Sequence, residues 1–364
     1  MVNKNKNTYC PDYAIPPGAT LIEVIQDMRI TQVELAERMG RPKKTINEII
    51  KGKAEITPET AIQLERVVKV PANFWLNLEK NYRLDLARIA EVEKLAEQKE
   101  WLKLFPISIM KKYKWIENTK DKISDIAQML EFFGVASVEA WKQKWGRAIP
   151  DVLFRKSKTY EVSPPALAAW LCKGEIEANT ITVDKFNKRR FKESLLEIRK
   201  LTTLEPNKFI DKMVKICASC GVSLVFVPEL PKVPVHGVTR WISADRVIIQ
   251  LSLYKKKDDH FWFSFFHEAG HVILHGKRDF VYDETGLTWD EEADKFAREI
   301  LISEAAYDYF VKHNAGRFTS SVIQEFAMSQ HITPGIVVGR LQHDEHINFT
   351  KLNYLKKTFI WSDD

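Results

Sequence analysis

The segment FWFSFFHEAGHVILHG, residues 261–276, decides the fold of the last third of this chain. Its apolar residues recur at helical spacing, and Asp258 or Asp259 stands before it as a candidate N-cap. The segment contains an H-E-x-x-H motif at residues 267–271. On a helix, the two histidines lie on one face and can bind one zinc ion, while Glu268 can act as a general base toward water. The motif therefore predicts metal-assisted hydrolysis.

His267 and His271 alone make a weak metal site, because a catalytic zinc site needs a third protein ligand. A histidine ten residues after His267 would indicate a metzincin, but position 277 is lysine. His275 follows on the same segment, on a helix face that drifts away from the first two histidines. The third ligand is therefore expected from a different segment.

Glu292 is the third ligand that the sequence favours. Residues 289–302 show one apolar stripe at helical spacing, which predicts a second helix packed against the first. Glu292 flanks that stripe, and a His, His, Glu set leaves one coordination position for water, as catalytic zinc sites require. Glu291 is the rival, and for both glutamates a solvated acidic helix start is the structural alternative. The expected metal is Zn²⁺.

Three strands are predicted beside this site, at residues 222–227, 235–242 and 246–253. Cys217 and Cys220 form a C-x-x-C at the end of a predicted helix, just before the first strand. A redox C-x-x-C lies at a helix start, and a zinc ribbon needs a second pair of cysteines. The two thiols are therefore predicted to be buried and structural.

Length and composition indicate a globular protein of several domains. At 364 residues the chain exceeds the size of one hydrophobic core, and we predict domains at 1–82, 83–202 and 203–364. The net charge of +6 is uneven, because the last third is acidic and the first two thirds are basic. We expect a cytoplasmic protein without membrane association, since there is no long apolar run, no signal peptide and only four cysteines.

Residues 31–53 predict two short helices joined by a tight turn. Thr31 and Glu34 form a capping box, and Gly40 ends the first helix. The second helix buries isoleucines on one face and carries basic residues on the other. This pattern predicts a helix-turn-helix whose second helix enters the DNA major groove. The residues that we expect to contact DNA are Arg41, Lys43, Lys44, Thr45, Asn47 and Lys51.

A small helical bundle with a solvated basic face is the alternative for the first third. Thr57 and Pro58 begin a further helix, and Pro71 begins another one. Periodicity alone is compatible with either interpretation. The local charge favours DNA binding, because six basic residues and one acidic residue lie between Arg38 and Lys53.

Residues 83–202 are predicted to be helical and mostly structural. The range 84–104 fits one long amphipathic helix, and a second helical block covers 165–200. The basic run 185–190 could contact phosphates, but a solvated face is the simpler interpretation. Aromatic residues at helical spacing favour a core over base stacking. They are Trp101, Phe105, Trp115, Phe132, Phe133, Trp141 and Trp145.

Two resemblances extend these predictions. About residues 15–82, including TINEIIKGK at 45–53 and FWLNLEKNY at 74–82, resemble the HigA-type antitoxins of the XRE helix-turn-helix class. One departure is that Pro16-Pro17-Gly18 stands where the family usually has His-Pro-Gly. The resemblance implies binding to operator DNA, generally as a dimer, and repression of a toxin–antitoxin operon.

The second resemblance covers about residues 205–345. HEAGHVILHG at 267–276, EEADKFAREILI at 291–302 and ITPGIVVGRLQHD at 332–344 resemble the ImmA/IrrE family of zinc metallopeptidases. That resemblance implies zinc ligands at His267, His271 and Glu292 with Glu268 as the catalytic residue. Members of that family cleave or antagonise XRE-type repressors in the cytoplasm. Fusion to an XRE-type domain is the departure in this chain.

The sequence therefore predicts an α+β fold that is mostly α. We expect an N-terminal all-α helix-turn-helix bundle, a helical middle, and a C-terminal zincin-like domain with a small sheet and the H-E-x-x-H helix. The predicted function is a DNA-binding transcription regulator with a zinc-dependent metallopeptidase domain that cleaves or binds a regulatory protein. The alternative is an antitoxin-like repressor whose peptidase fold binds a partner without turnover. Expected partners are double-stranded operator DNA, a regulatory protein or cognate toxin, and a second copy of the chain.

Overall fold

The computed structural model describes residues 13–148, 162–276, 287–314 and 316–361, so Cys10 and Lys277 lie outside the described residues. The chain forms two compact units. The first unit consists of two stretches, the chain up to Glu100 and the segment Asp121–Ile126. The second unit consists of Trp101–Lys120 and the chain from Ala127 onward. The division into 1–82, 83–202 and 203–364 stays a prediction, because compactness alone does not define independently folding domains.

Five helices form the first unit up to residue 96. Side-chain caps begin two of them, as the sequence predicts: Thr31 Oγ1 accepts the Glu34 N–H at 3.2 Å, and Thr57 Oγ1 accepts the Thr60 N–H at 3.3 Å. The helices are α1 (Pro17–Asp27), α2 (Gln32–Arg38), α3 (Lys43–Ile50), α4 (Pro58–Val68) and α5 (Ala72–Ala96). The predicted all-α helix-turn-helix bundle is therefore present.

The core of the first unit is made by one apolar stripe from each helix. Its fully buried members include Leu21, Leu35, Ile46, Leu64 and Trp75. Gly52 ends α3 with a φ of 68°, and a Cβ there would lie 2.4 Å from the Tyr82 hydroxyl oxygen. A larger residue at this turn would therefore be strained and would push α5 away.

The predicted helix over 84–104 is wrong at both ends. Residue 84 continues α5 without a break, and α5 ends at Ala96. Trp101 and Leu102, beyond the end of α5, are buried. Short helices follow, named α6 (Lys99–Leu102), α7 (Ile107–Lys112), α8 (Lys122–Phe133) and α9 (Val138–Ala148).

Five of the seven aromatic residues of this region are buried and form a core, as predicted, while Trp115 and Phe132 are half-buried. The Trp101 ring lies 5.0 Å from Phe105 and 5.6 Å from Trp141, both in edge-to-face geometry. Phe133 joins Phe105, Trp141 and Trp145 to the same cluster at 5.5–5.6 Å. Their burial leaves them unable to stack on nucleic-acid bases.

Three helices precede the sheet: α10 (Pro164–Thr180), α11 (Lys188–Lys200) and α12 (Pro206–Ala218). A 3₁₀ turn at Leu201–Thr203 separates the last two. The basic run 185–190 lies at the start of α11, where Arg189 pairs with Glu193 at 3.0 Å and Arg190 with Asp184 at 3.5 Å. These exposed pairs agree with the predicted solvated face.

The sheet has three strands, β1 (Val222–Phe226), β2 (Gly237–Ser243) and β3 (Arg246–Leu251), all within two residues of the predicted ranges. The strand order is β1-β3-β2, with β1 parallel and β2 antiparallel to β3. The edge strand β2 pairs Thr239 with Ile249 of β3. Cys217 and Cys220 are free and buried beneath the sheet, which confirms them as buried thiols, and burial raises the pKa of Cys217.

The H-E-x-x-H segment forms α13 (Asp258–Leu274). It packs against α14 (Leu287–Leu301), α17 (Pro334–His343), β2 and β3. Two further helices are α15 (Glu304–His313) and α16 (Ser320–Ser329), and a 3₁₀ turn spans Asn353–Leu355. Among the described residues, none of the helices combines the length and apolarity that a membrane span requires.

The predicted N-cap of α13 is wrong. Lys257 holds the cap position without a side-chain cap bond, and both aspartates lie in the first turn, buried. Asp258 Oδ2 accepts the Thr333 hydroxyl at 3.0 Å, and Asp259 Oδ2 lies 2.6 Å from Lys356 Nζ. The two carboxylates therefore serve tertiary packing in place of the cap.

Candidate functional site

The first candidate site is formed by the two histidines of the H-E-x-x-H motif. His267 and His271 lie one helical turn apart on the same face of α13, with their Nε2 atoms 3.0 Å from each other. Their side chains are about one-fifth exposed. The opposite face of α13 is buried through Trp262, Phe265 and Phe266. The helix therefore presents both ring nitrogens at the edge of the core, where a third ligand can reach them.

That third group comes from α14. Asp290 Oδ1 lies 3.5 Å from His271 Nε2. One ligand atom from each of His267, His271 and Asp290 lies within 4.8 Å of the other two. The close approach of the helices depends on Gly270, because a Cβ there would lie 3.2 Å from the Ala293 Cα. Helix packing thus brings together residues that are about 20 positions apart in the sequence.

The donor set fits a zinc ion. Two imidazole nitrogens and one carboxylate oxygen are ordinary zinc ligands at 2.0–2.2 Å, and a tetrahedral arrangement of such ligands separates them by about 3.3 Å. The observed separations of 3.0 Å between the Nε2 atoms and 3.5 Å to the Asp290 oxygen bracket that value. The third separation, between the ligand atoms of His267 and Asp290, is within 4.8 Å.

Asp294 orients the first histidine. Its Oδ1 lies 2.7 Å from His267 Nδ1, one turn beyond Asp290 on α14. A carboxylate at Nδ1 holds the proton on that nitrogen, which leaves the Nε2 lone pair directed at the cluster. The pair is partly exposed, with side-chain exposures of 20% for His267 and 36% for Asp294. Its function is therefore to fix the ring more than to stabilise the fold.

Glu292, the predicted third ligand, lies elsewhere. Its Oε2 is 3.0 Å from His275 Nε2, and its side chain is 61% exposed. With 100° per residue, Glu292 lies about 160° around α14 from Asp290, so the two acids flank opposite sides of the apolar stripe. The structure thus brings Asp290 to the two histidines and Glu292 to His275. The zinc ligand role of Glu292 stays a prediction.

The sequence reasoning did not consider Asp290 or Asp294. A usable signal was present, because the two aspartates have the same four-residue spacing as His267 and His271. Two pairs with i, i+4 spacing on neighbouring helices can face each other as pairs. Glu292 lies at the opposite edge of the stripe, where it contacts His275.

Glu268, the predicted general base, lies between α13 and the edge strand β2. It is 7% exposed, and the Thr239 Oγ1 lies 2.8 Å from its Oε2 and 3.0 Å from its backbone oxygen. Gly237 leaves room for it, because a Cβ there would lie 2.9 Å from Glu268 Cγ. Burial raises the pKa of Glu268, while nearby His267 and the Thr239 hydrogen bond act in the opposite direction. A raised carboxyl pKa suits a group that exchanges a proton near neutral pH.

The second candidate site is the outer face of α3. Ile46, Ile49 and Ile50 are buried and fix the orientation of the helix. The opposite face therefore points to solvent with its polar residues. Lys43, Lys44, Asn47 and Lys51 are exposed, and Thr45 is half-buried.

Arg41 differs from the other predicted DNA contacts. Its Nε donates to Gln63 Oε1 of α4 at 2.6 Å, and the residue is half-buried. It connects the turn before α3 to α4. Any contact with a phosphate would have to use the remaining N–H groups of the guanidinium.

Comparison with known proteins assigns this region. The helix-turn-helix family matches residues 21–75. The uncharacterised HTH-type transcriptional regulator YddM of Escherichia coli (strain K12) is 32% identical over 81 residues, which cover 22% of this chain and 81% of that protein. The chain belongs to the helix-turn-helix family. Virulence-associated protein A of Dichelobacter nodosus is 33% identical over 70 residues, which cover 19% of this chain and 69% of its own length.

Two solved structures are also similar over this part of the helix-turn-helix protein. One, from Nostoc punctiforme, is described as an antidote protein of a plasmid maintenance system. It is 30% identical, with a TM-score of 0.22, over 23% of this chain and 92% of its own. The other is an addiction module antidote protein of the HigA family from Coxiella burnetii. It is 27% identical, with a TM-score of 0.22, over 23% of this chain and 94% of its own.

The family assignment indicates that the exposed face of α3 binds DNA. Helix-turn-helix proteins place their second motif helix in the DNA major groove. In this chain that helix is α3, which follows α2 through a turn at Gly40 with a φ of 62°. The first unit therefore carries a DNA-binding helix-turn-helix module of the XRE type.

Proposed function

We propose that this protein is a transcription regulator that binds operator DNA through its helix-turn-helix module and carries a zinc-dependent metallopeptidase in its second unit. The proposed peptidase is a zincin-like domain of the ImmA/IrrE type. The observation that carries this proposal is the cluster of His267, His271 and Asp290, with Glu268 buried beside it. These four residues supply the ligands and the base that zinc-dependent hydrolysis requires.

Each residue has a distinct task in the proposed reaction. His267, His271 and Asp290 hold the zinc ion, which when bound supplies a Lewis acid that polarises the scissile carbonyl. Glu268 takes a proton from the attacking water and gives it to the leaving amine. The Thr239 hydroxyl holds the Glu268 carboxylate in position at 2.8 Å.

The position of β2 supports a peptide substrate. β2 is an edge strand of the described sheet, and its residues Gly237 and Thr239 lie against Glu268. An extended peptide can add to a strand edge through main-chain hydrogen bonds. A segment bound along β2 would pass the general base. We therefore assign a peptide bond in a regulatory protein as the bond that is cleaved.

The exposed face of α3 supports double-stranded operator DNA as the second partner. Helix-turn-helix proteins generally read two half-sites as dimers, so the proposal includes a homodimer. The likeness of about residues 15–82 to HigA-type antitoxins supports a cognate toxin among the protein partners. The name of the Escherichia coli relative, a transcriptional regulator, supports the role in transcription.

Co-expression with the proteins encoded beside this gene tests the proposed cleavage. The wild-type protein is compared with Glu268→Gln by mass spectrometry of the co-expressed proteins. Cleavage fragments with the wild type alone are expected, because glutamine cannot accept the proton from water. Glu325→Gln, at an exposed glutamate of α16, is the matched control and should cleave like the wild type. Equal fragments from wild type and Glu268→Gln would contradict the role of Glu268.

The alternative function is an antitoxin-like repressor whose peptidase fold binds a partner without turnover. One observation favours it, namely that Glu268 is buried and Thr239 contacts both its carboxylate and its backbone oxygen. A carboxylate held in this way can join α13 to β2 without transferring protons. In the co-expression experiment, uncleaved complexes with both wild type and Glu268→Gln would support this alternative.

A further inference from the structure

We propose that His275 and Glu292 form a hydrogen-bond relay that orients His271 toward the metal. In this arrangement His275 is a positioning residue for the zinc ligand, and Glu292 is the terminal acceptor of the relay. The proposal rests on the zinc site proposed above, but it does not require that the site cleaves a substrate.

The first step of the argument concerns the two nitrogens of His271. Its Nε2 faces His267 Nε2 at 3.0 Å and Asp290 at 3.5 Å, which assigns that nitrogen to the metal. A neutral imidazole that offers the Nε2 lone pair carries its proton on Nδ1. His271 Nδ1 must therefore donate a hydrogen bond.

The acceptor for that hydrogen bond is His275. The His271 Nδ1 and His275 Nδ1 atoms lie 3.0 Å apart. If His275 accepts at Nδ1 as a neutral ring, its own proton lies on Nε2. That nitrogen lies 3.0 Å from Glu292 Oε2, which accepts the hydrogen bond from the Nε2–H. The three contacts are thus consistent with one set of tautomers, running from the metal side to the surface.

The surroundings of His275 hold it in this position. Its ring stacks on Trp289 of α14 with a centroid distance of 4.9 Å and an interplanar angle of 12°. The His275 side chain is 10% exposed, whereas the Glu292 side chain is 61% exposed. The relay therefore ends at the protein surface, where water can also accept the hydrogen bond from His275 Nε2–H. Removal of His275 is expected to matter more than removal of Glu292.

With the relay, each of the two proposed zinc-binding histidines is connected through its Nδ1 to a carboxylate, a similarity that the motif does not show. His267 donates from Nδ1 directly to the Asp294 carboxylate at 2.7 Å. On the Nδ1 side of His271, the contacts lead to the Glu292 carboxylate through His275. Partners of this kind fix the ring of a metal ligand and raise its basicity, and their loss typically weakens metal binding by about 10–100-fold.

The test compares His275→Phe with His275→Asn in the full-length protein, measuring zinc affinity by competition with a chelator. Phenylalanine keeps the stacking on Trp289 but has no acceptor, whereas the asparagine Oδ1 can occupy the place of Nδ1. We expect about 10–100-fold weaker zinc binding for His275→Phe and near wild-type affinity for His275→Asn. A merely structural ring would give the reverse order. His313→Phe, which replaces a histidine stacked on Tyr309 at 3.8 Å, is the control and should not change zinc affinity.

A second arm separates the relay from direct ligation by Glu292. For Glu292→Gln we expect a stoichiometric zinc content and a loss of affinity below about tenfold, because glutamine and water still accept the His275 N–H. Loss of zinc to the level of His271→Ala would make Glu292 a ligand and overturn the relay. Nitrogen NMR of the zinc-loaded protein should show His275 protonated at Nε2, and protonation at Nδ1 would also overturn it.

The outcomes also separate this inference from the proposed function. A wild-type protein that binds no zinc would remove both the peptidase proposal and the relay. A wild-type protein that binds zinc with equal affinity in His275→Phe and His275→Asn would remove only the relay. Zinc binding that follows the expected order without any cleavage would keep the relay and remove the peptidase activity.

Discussion

The face of α3 and the cluster on α13 and α14 are functional surfaces of two different kinds. All candidate DNA contacts on α3 come from one continuous segment, residues 41–51, and most of them are exposed. The candidate metal site instead joins His267 and His271 of α13 to Asp290 of α14 and lies partly buried. The comparison teaches that a surface carried by one helix follows from local sequence, whereas a site between helices depends on how they pack.

The two surfaces also differ in how they hold charge. The lysines of α3 keep their charges in water, where each contributes little to the stability of the fold. The second unit buries carboxylates such as Glu268 and Asp258, whose desolvation must be offset by hydrogen bonds. Changes on α3 should therefore alter binding, while changes near α13 should alter metal content or stability.

The largest expected effect is the loss of zinc from His271→Ala. Removing one of three protein ligands should reduce stoichiometric zinc to background in elemental analysis, because two ligands hold zinc poorly. Operator binding in a gel-shift assay should be unchanged, since the DNA-binding face lies in the other unit. Full zinc retention would refute the ligand assignment, and lost DNA binding would show that the two surfaces are coupled.

The next effect is the pH dependence of stability that Asp258 contributes. Burial, and then the neighbouring Asp259, raise the pKa of Asp258 to about 6 from 3.8, against the Thr333 hydrogen bond and the charge of Lys357. Between these values the folded state binds more protons than the unfolded state, so its contribution to stability falls as pH rises. The whole shift corresponds to about 3 kcal/mol at one pKa unit per 1.4 kcal/mol, and about 2 kcal/mol of this is expected to be lost between pH 4 and pH 6.

Urea unfolding of wild type and Asp258→Asn across this range measures the Asp258 contribution. The difference in unfolding free energy between the two proteins should change with pH up to about 6 and then become constant. Asp211→Asn, at an exposed aspartate of α12, should show no such trend and serves as the control. A pH-independent difference for Asp258→Asn would show that the carboxyl group is not protonated in the folded protein at pH 5.

Substitutions on α3 are expected to act on DNA binding alone. Asn47→Ala should cost about 1–3 kcal/mol of operator affinity if the amide reads a base, and should relax specificity at that base. Lys43→Ala should weaken binding to all sequences and lower the salt dependence by about one counterion. Titrations of operator and unrelated DNA at several salt concentrations measure both. Lys80→Ala, at an exposed lysine of α5, is the matched control. If it weakened binding as much as Lys43→Ala, the DNA interface would not be confined to the face of α3.

The smallest expected effect is the loss of the cap at the start of α2. Thr31→Ala removes the acceptor of the Glu34 N–H and should lower the stability of the first unit by about 1 kcal/mol. Thermal unfolding measures this change. Thr31→Ser keeps the hydroxyl and should restore most of the stability. An equal loss in both variants would assign the effect to the missing methyl group.

Local sequence signals predicted the helices around the DNA-binding face well. Thr31 and Thr57 are side-chain caps, and the isoleucines of α3 are its buried face. The strands of the small sheet also lie within two residues of their predicted positions. These features depend on neighbours in the chain, such as a hydroxyl three residues before an N–H or apolar residues one helical turn apart.

The predicted helix ends were wrong where residues distant in the sequence contact the helix terminus. The break predicted near residue 84 is absent, because one helix runs from Ala72 to Ala96. The predicted cap at Asp258 is also wrong, because Thr333 and Lys356 approach from far along the chain and engage the two aspartates. Local preference is worth about 1 kcal/mol in such cases, and tertiary contacts exceed it.

The amino-acid sequence by itself determined the helix-turn-helix, the pairing of His267 with His271 on one face, and the place of Glu268 beside them. Only the tertiary structure decided which acid of α14 meets the histidines. The apolar stripe of α14 has acidic residues on both sides, with Asp290 and Asp294 on one side and Glu292 on the other. Helical periodicity cannot tell which of the two sides faces the histidines. The rotation of α14 against α13, allowed by the close approach at Gly270, directs Asp290 to the cluster and leaves Glu292 with His275.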